Sequence, residues 1–198
     1  MAAADGLSRC SWVGDDPLMI RYHDEEWGTP AHDDRRLFEY MVLDAFQAGL
    51  SWRLVLHKRA AFDRAFAHFD AAAVAGFAAA EVERLVGDAG IIRNRAKIVA
   101  TVNNAERVLG VRREFGSLDA YLWQFVGGQT IDHGYERSSQ IGATSAESDF
   151  MSRELKDRGF KFMGSTVCYA FMQGAGMVND HLVTCFRYNE LKATGREK

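Results

Sequence analysis

The chain has 198 residues, a hydrophobic content of 47% and a formal net charge of -3. This length and composition allow a buried core and fit one domain or a two-lobed one. No segment is long and apolar enough to span a membrane, and the start lacks the basic and apolar regions of a signal peptide, so we expect a cytoplasmic protein that does not contact membranes. The small acidic excess disfavours a generally DNA-binding surface, so any such face must be local.

The numbers of cysteines and prolines limit the possible fold classes. Three cysteines, Cys10, Cys168 and Cys185, are far apart in the sequence, and this odd number argues against a disulfide framework. The chain has only two prolines and no strictly alternating apolar stretch, which favours an all-α fold. Cys168 is surrounded by apolar residues and is predicted to be a buried, unreactive thiol.

Aromatic side chains are concentrated between residues 9 and 28, where Trp12, Tyr22 and Trp27 occur. Aromatic residues dominate buried cores, so packing inside the protein is one interpretation. Their neighbours at 15–16 and 24–26 are acidic. These polar surroundings leave an aromatic pocket as the other interpretation.

A helix is predicted from Asp33 or Asp34 to Gln47, with apolar residues on nearly every side. Such a helix is buried. Asp44 occupies a position on its apolar stripe, and burying an ionised carboxylate is costly unless a cation or a hydrogen-bond donor meets it. The partner is either one of the arginines or a ligand that arrives from outside.

The residues after this helix predict the rim of a pocket. Gly49 permits the chain to turn, and Ser51 can cap the next helix. Leu50 and Trp52 are then left at the junction, beside the buried acid.

Further helices follow in order along the chain. The pattern predicts them at 51 to about 68, from a cap at Asp70 to about 77, at 80–86, from about 97 to 109, from a cap at Ser117 to about 125, from a capping box at Thr144 to 158–159, and at 166–175. Residues 127–145 are polar and glycine-rich and predict a long surface loop. The tail after Tyr188 is expected to fray.

Residues 87–97 predict a helical hairpin with a basic exit, because two glycines separate two helical patterns. A helix N-terminus presents unpaired N–H groups, so Gly90 with Arg93, Arg95 and Lys97 could hold a phosphate. An ordinary helix corner with a solvated basic turn explains the same pattern.

Two cysteines and two histidines form a possible metal set. Twelve residues separate Cys10 from His23, and three separate His181 from Cys185. Two thiolates and two imidazoles fill the tetrahedral coordination of zinc and leave no place for water, so such a site is structural. It would join the first and last parts of the chain. The alternative is two buried thiols and two unrelated histidines.

Several segments, in order from about residue 9 to residue 186, together resemble the bacterial 3-methyladenine-DNA glycosylase I family. They are 10–13, 22–28, 46–52, 88–93, and 159–162 with 179–181. The resemblance implies a helix-hairpin-helix glycosylase fold and a structural zinc held by Cys10, His23, His181 and Cys185. It implies a base pocket of Trp12, Tyr22, Trp27, Asp44 and Trp52, a wedge at Gly49 and Leu50, and phosphate contacts in the hairpin by Gly90, Arg93, Arg95 and Lys97.

The implied architecture is a single two-lobed domain over 1–198. The hairpin lobe covers about 33–126, and a terminal zinc lobe covers about 1–32 and 145–188. The implied activity is the extrusion of N3-methyladenine from alkylated double-stranded DNA and hydrolysis of its glycosidic bond by water, without a lyase step, with free 3-methyladenine as product and the protein acting as a monomer. A zinc-stabilised module that binds damaged DNA without turnover is the alternative, and a zinc hydrolase is a third.

One position departs from the family pattern. The family usually has glutamate where this chain has Asp44, which is one methylene shorter. The hydrogen bond to the base is then longer, water-mediated or restored by a backbone shift. The family also lacks the catalytic aspartate that follows the hairpin in many relatives, and this sequence offers no obvious candidate for it. Asp44 is the predicted catalytic residue, as the acid that meets the cationic base.

Overall fold

The computed structural model describes residues 6–194. The helices are α1 Pro17–Glu25, α2 Asp34–Gln47, α3 Trp52–Ala65, α4 Ala71–Ala75, α5 Ala79–Gly87, α6 Arg95–Phe115, α7 Leu118–Trp123, α8 Ala146–Asp157, α9 Ser165–Gly174 and α10 Phe186–Thr194. Short 3-10 turns occur at Ser11–Val13, Ala67–Phe69, Gln124–Val126 and Ser138–Gln140. Two strands, β1 Ile131–Asp132 and β2 Val178–Asn179, pair in parallel. The predicted helical fold is confirmed, and none of the described helices has the length and apolar character that a membrane crossing requires.

Helix α2 lies at the centre of the fold and contacts α3, α6, α7 and α9. Its residues from Tyr40 to Phe46 are all buried. Asp33 caps its start by accepting a hydrogen bond from the Arg36 N–H at 2.9 Å. The Asp34 carboxylate accepts hydrogen bonds from the first N–H groups of α7 and from Arg112, so the start of α2 is joined to α6 and α7.

Three of the predicted caps are confirmed, and each one positions a helix. Ser51 caps α3, Asp70 caps α4 and Ser117 caps α7, in each case through a side-chain oxygen that accepts a backbone N–H. This contact satisfies one of the donors left unpaired at a helix start. The hairpin between α5 and α6 is also present, and Asn94 caps α6.

Two predicted helix boundaries are wrong, and so is the predicted fraying of the tail up to Thr194. Helix α3 ends at Ala65 rather than near residue 68, because His68 has a positive φ of 55° within the following turn. Ser145, not Thr144, caps α8, since Ser145 and Ser148 exchange side-chain-to-backbone hydrogen bonds. The loop at 127–145 contains β1 and a 3-10 turn. The chain after Tyr188 continues as α10 to Thr194, because the Lys192 ammonium and the Tyr188 hydroxyl both contact Asp132.

The two ends of the described chain meet. The Phe186 N–H donates to the Ser8 carbonyl at 2.9 Å, and the Ala31 N–H donates to the Ala175 carbonyl at 3.0 Å. These contacts place the N-terminal segment beside the segment that follows α9. The division into a hairpin lobe and a terminal lobe stays a prediction.

Candidate active site

A cavity of about 520 Å³ opens beside α2, and all five predicted base-binding residues line it. Asp44 and Gln47 reach it from α2, and Trp52 reaches it from the start of α3. Its other lining residues include Trp12, Asp16, Met19, Tyr22, Trp27, Arg53, Ile141, Ala170 and Gln173. The structure therefore brings together residues that are distant in the sequence; the binding of a base by them stays a prediction.

The aromatic rings of the cavity contact one another in two pairs. The Tyr22 and Trp52 ring centroids are 5.0 Å apart, and those of Trp12 and Trp27 are 5.0 Å apart in an edge-to-face arrangement. Tyr22 and Trp27 are buried, whereas Trp12 is 38% exposed at the mouth. Such electron-rich faces attract a flat cation. The packing interpretation holds for Tyr22 and Trp27, which belong to the core, and for Trp52, which packs against it. All of these rings, with that of Trp12, also line the cavity, so the pocket interpretation holds as well.

Asp44 is 5% exposed and lines this cavity. Among residues 6–194, no hydrogen bond or ion pair to its carboxylate is present, so the predicted alternative of an arginine partner is wrong. Burial raises the pKa of Asp44 well above its ordinary value. Burial also raises the pKa of Tyr22, and the nearby charge of Asp44 raises it further. The ionised form of such a buried acid is stabilised by a ligand that brings a positive charge close to it.

Asp16 is a second buried acid at the cavity, and no sequence pattern predicts it as a site residue. Its carboxylate caps α1 by accepting the Leu18 N–H at 2.9 Å. The same group contacts His57 Nε2 at 2.7 Å and accepts from Arg53 Nε at 2.6 Å. These partners, His57 foremost, lower the pKa of Asp16 to about 2. Asp16 is thus a fixed, fully paired anion. In the sequence, an aspartate followed by a proline is typical of a helix start and predicts the cap, but it does not predict the contacts with His57 and Arg53.

The rim of the cavity is the turn between α2 and α3. Gly49 has a φ of 81°, a conformation that a residue with a Cβ adopts only under strain. Leu50 follows it and is 40% exposed, and Leu54, one helical turn later, is 41% exposed. The predicted wedge therefore stands at the cavity mouth with its leucine accessible.

The hairpin residues divide into exposed and buried ones. Arg93 and Arg95 are exposed, and Arg95 pairs with Glu83 at 2.5 Å. The Gly90 N–H donates to the Asp88 carboxylate at 2.7 Å, so this amide is not free for a phosphate. The expectation that Lys97 contacts a phosphate is inconsistent with its position, because the residue is only 6% exposed.

Lys97 instead holds the end of α2. Its ammonium donates to the Phe46 carbonyl at 2.9 Å and to the Ala48 carbonyl at 2.7 Å. Both are carbonyls that the helix end leaves without an intrahelical partner. Lys97 therefore ties the hairpin helix α6 to the turn that carries Leu50.

Replacing Lys97 with methionine is expected to lower the free energy of unfolding by about 2 kcal/mol, because the buried Phe46 carbonyl and the partly buried Ala48 carbonyl lose their donor. Urea denaturation measures this change. Arg95→Met, in the same turn of α6 but exposed, is the matched control and is expected to leave the denaturation midpoint nearly unchanged. Equal midpoints for the two variants would contradict the buried role of Lys97.

The four predicted metal ligands lie together. One donor atom of each of Cys10, His23, His181 and Cys185 lies within 4.8 Å of the others, and all four residues are buried. Cys185 Sγ is 3.5 Å from His23 Nε2 and 3.4 Å from His181 Nδ1. Bond lengths of about 2.3 Å for Zn–S and about 2.0 Å for Zn–N place sulfur and nitrogen about 3.5 Å apart in a tetrahedron. The donor set therefore fits zinc in both chemistry and spacing.

The remaining imidazole nitrogens are fixed by other groups. His23 Nδ1 contacts the Asp24 carboxylate at 2.7 Å, and His181 Nε2 lies 2.9 Å from the Trp27 carbonyl. Such contacts orient histidine ligands and leave the opposite nitrogen for the metal. His181 and Cys185 lie in a turn rather than on one helix, yet their donor atoms still meet.

The metal cluster also adjoins the cavity wall. Trp27 lines the cavity, and its ring lies 4.6 Å from the His181 ring between centroids. Gly28 follows Trp27, and a Cβ there would stand 3.0 Å from His181 Nε2, so this close approach requires glycine. The cluster thereby supports one aromatic wall of the cavity.

Comparison with known proteins agrees with this geometry. The methyladenine glycosylase family model matches residues 12–188. The chain is 46% identical over 182 residues to DNA-3-methyladenine glycosylase 1 of Escherichia coli (strain K12), covering 92% of this chain and 97% of that protein. A crystal structure of 3-methyladenine DNA glycosylase I superposes with a TM-score of 0.88 at 45% identity, covering 90% of this chain and 98% of the other.

A second solved structure, which describes 3-methyladenine recognition by 3-methyladenine DNA glycosylase I from Staphylococcus aureus, has a TM-score of 0.88 at 34% identity. It covers 91% of this chain and 96% of the other. The residues matched by the family model, 12–188, include those that line the aromatic cavity. With that coverage by both sequence and structure, the chain belongs to the methyladenine glycosylase family.

Proposed function

We propose that this protein removes N3-methyladenine from alkylated double-stranded DNA by hydrolysing the bond between the base and its sugar. The observation that carries the proposal is a buried carboxylate, Asp44, that has no partner within residues 6–194 and faces an aromatic cavity. The names of the relatives and the structure that describes recognition of 3-methyladenine support the same substrate.

The base must first leave the duplex, because its reacting bond is inaccessible inside the stack. Extrusion costs a few kcal/mol, and less for a damaged base. Leu50, accessible on the turn at the cavity mouth, fills the gap that the base leaves. The exposed Arg93 and Arg95 of the hairpin hold the adjacent DNA backbone.

Selection then depends on charge. Methylation at N3 makes the base a cation and weakens its glycosidic bond, so departure needs little acid assistance. Contact with the rings of Tyr22 and Trp52 favours a cation over a neutral base by about 0.5 to 2 kcal/mol. Asp44 in its ionised form adds an opposite charge and accepts hydrogen bonds from the edge of the base. Normal adenine leaves that buried charge uncompensated.

The chemical step is a substitution at the sugar carbon. The carbon–nitrogen bond to the base breaks, and its electron pair neutralises the departing cation. A water oxygen forms the new bond to the same carbon and releases its proton.

No lysine lines the cavity in the described part of the chain, and Lys97 is engaged with backbone carbonyls. Among residues 6–194, therefore, no lysine amine in the cavity is available to form a covalent imine with the sugar. Borohydride added during turnover is expected to trap no protein–DNA adduct on a denaturing gel. A glycosylase with a known lyase step serves as the positive control, and a trapped adduct here would show a covalent mechanism.

Zinc bound by Cys10, His23, His181 and Cys185 would have a structural role in this proposal. Four protein ligands complete its coordination and leave no position for a reacting water, which disfavours a zinc hydrolase. The metal would hold the N-terminal segment against the segment after α9 and keep Trp27 in the cavity wall.

A module that binds damaged DNA without turnover is the competing function. Duplex DNA treated with a methylating agent separates the two, with release of free 3-methyladenine measured by chromatography. Release that increases with time and exceeds the amount of protein supports the glycosylase. Tight binding of the same DNA without any released base would establish the binding module instead.

A further inference from the structure

Gln173 lines the cavity from the last turn of α9, and the mechanism above does not use its side chain. Its backbone carbonyl accepts a hydrogen bond from the Gly28 N–H at 3.0 Å, so this turn is fixed to the N-terminal segment. Gln173 is therefore a rigidly placed polar side chain in the same cavity as Asp44.

Asp180 determines which end of the Gln173 amide faces the cavity. The Asp180 side chain has no solvent exposure. One of its oxygens accepts hydrogen bonds from Gln173 Nε2 and from the Tyr169 hydroxyl, each at 2.7 Å, and the other lies 2.6 Å from His133 Nδ1. A carboxylate only accepts hydrogen bonds. The NH₂ end of Gln173 must therefore face Asp180, because a flipped amide would place two acceptor oxygens against each other.

The carbonyl oxygen Oε1 of Gln173 is therefore the end of the amide that Asp180 does not engage, on a side chain that lines the cavity. Within residues 6–194 it accepts no hydrogen bond, and it is not among the buried polar atoms sealed from solvent. The cavity thus contains a neutral acceptor whose direction is fixed. Asp44 supplies charge, whereas Gln173 supplies a direction-specific acceptor.

We propose that Gln173 is a specificity-determining residue that accepts a hydrogen bond from the exocyclic amino group of the extruded base. The proposal deepens the proposed function and rests on it. Adenine carries an amino group on the edge where guanine carries a carbonyl oxygen. Guanine would place an oxygen opposite Gln173 Oε1 and leave both acceptors unpaired, which is unfavourable in a buried site.

This role is separate from that of Asp44. Methylation at N3 gives a positive charge to adenine and to guanine alike, so the charge of Asp44 favours both lesions over normal bases. The fixed acceptor of Gln173 then favours 3-methyladenine over 3-methylguanine. The first residue distinguishes damaged from normal bases, and the second distinguishes one damaged purine from the other.

The test uses methylated duplex DNA that contains both lesions and measures the release of each free base by the full-length protein. Gln173→Met keeps the side-chain length and removes the acceptor. It is expected to lower the release of 3-methyladenine about tenfold and to leave that of 3-methylguanine unchanged or higher, because an unpaired acceptor is removed, so the ratio of 3-methyladenine to 3-methylguanine falls. Tyr169→Phe is the matched control, because it removes another donor to Asp180 without changing the residues that line the cavity.

The control is expected to keep the wild-type ratio. The assignment would be overturned if Gln173→Met lowered the release of both bases by the same factor. It would also be overturned if Tyr169→Phe lowered the ratio of 3-methyladenine to 3-methylguanine release as much as Gln173→Met does. Gln173 would then be only a partner of Asp180. Wild-type protein that releases neither base refutes the proposed function itself, and the two failures are thereby distinguished.

A measurement on the wild-type protein covers the case in which Gln173→Met does not fold. The carbon-13 resonance of the Gln173 side-chain carbonyl is followed by NMR while free 3-methyladenine or 3-methylguanine is added. It is expected to shift with 3-methyladenine and to stay in place with 3-methylguanine. Resonances of Trp52 that respond to 3-methyladenine while the Gln173 carbonyl does not would overturn the proposal.

Discussion

Replacing Asp44 with asparagine is expected to reduce the release of 3-methyladenine from methylated duplex DNA by about a hundredfold or more. The variant keeps the shape of the side chain and loses the charge that meets the cationic base, and removal of one such electrostatic contact slows comparable enzymes by that factor. Single-turnover release of the free base measures the effect. An unchanged rate would place the selective group elsewhere.

Two controls accompany this variant, the thermal stability of Asp44→Asn and the activity of Asp44→Glu. The folded protein retains the Asp44 proton to higher pH than the unfolded chain does, because burial raises its pKa. Stability therefore falls as pH rises above the ordinary pKa of aspartate, and Asp44→Asn is expected to unfold at the same or a higher temperature at neutral pH. Asp44→Glu keeps the charge, restores the usual residue of the family and is expected to retain excision.

Removal of the predicted zinc site has the second large expected effect. Cys10→Ala is expected to abolish binding of one zinc per chain and to lower the melting temperature by about 10 °C or more, because a structural zinc contributes several kcal/mol to folding. Zinc content by elemental analysis and thermal unfolding by circular dichroism measure the two outcomes. Neither measurement depends on activity.

Cys168→Ala is the matched control for this change. Cys168 is equally buried, but its sulfur contacts the Met163 carbonyl at 3.6 Å rather than a histidine, and burial raises the pKa of its thiol to about 12. The control is expected to keep its zinc. A Cys10→Ala protein with full zinc content would show that the metal, if any, has other ligands.

Local signals in the sequence predicted much of the fold. The apolar surroundings of Asp44 predicted a buried helix, and the structure places α2 at the centre with that acid buried. Ser51, Asp70 and Ser117 predicted helix starts because capping depends on the few residues nearest the cap. The cap of α8 was misplaced by one residue, since Thr144 and Ser145 are both suitable and only the contact with Ser148 distinguishes them.

Contacts between distant residues were not predictable in this way. Lys97 carries the same signal as an exposed basic residue after a glycine turn, and only the packing of α6 against α2 directs it to the Phe46 carbonyl. Likewise, nothing near Asp16 indicates His57 as a partner. Cys10, His23, His181 and Cys185 were a weak pattern by spacing, and the family resemblance, rather than the spacing, made them a definite prediction.

The pH dependence of excision by the wild-type protein tests the central claim most directly, namely that an ionised, buried Asp44 receives a cationic base. As the pH increases, kcat/KM is expected to rise with a single ionisation, whose pKa lies above the ordinary pKa of aspartate, and then to level off. The affinity for undamaged duplex DNA is expected to change little over the same pH range. A ratio that stays constant or falls through that range would show that the Asp44 carboxylate does not have to be charged, and would contradict this account.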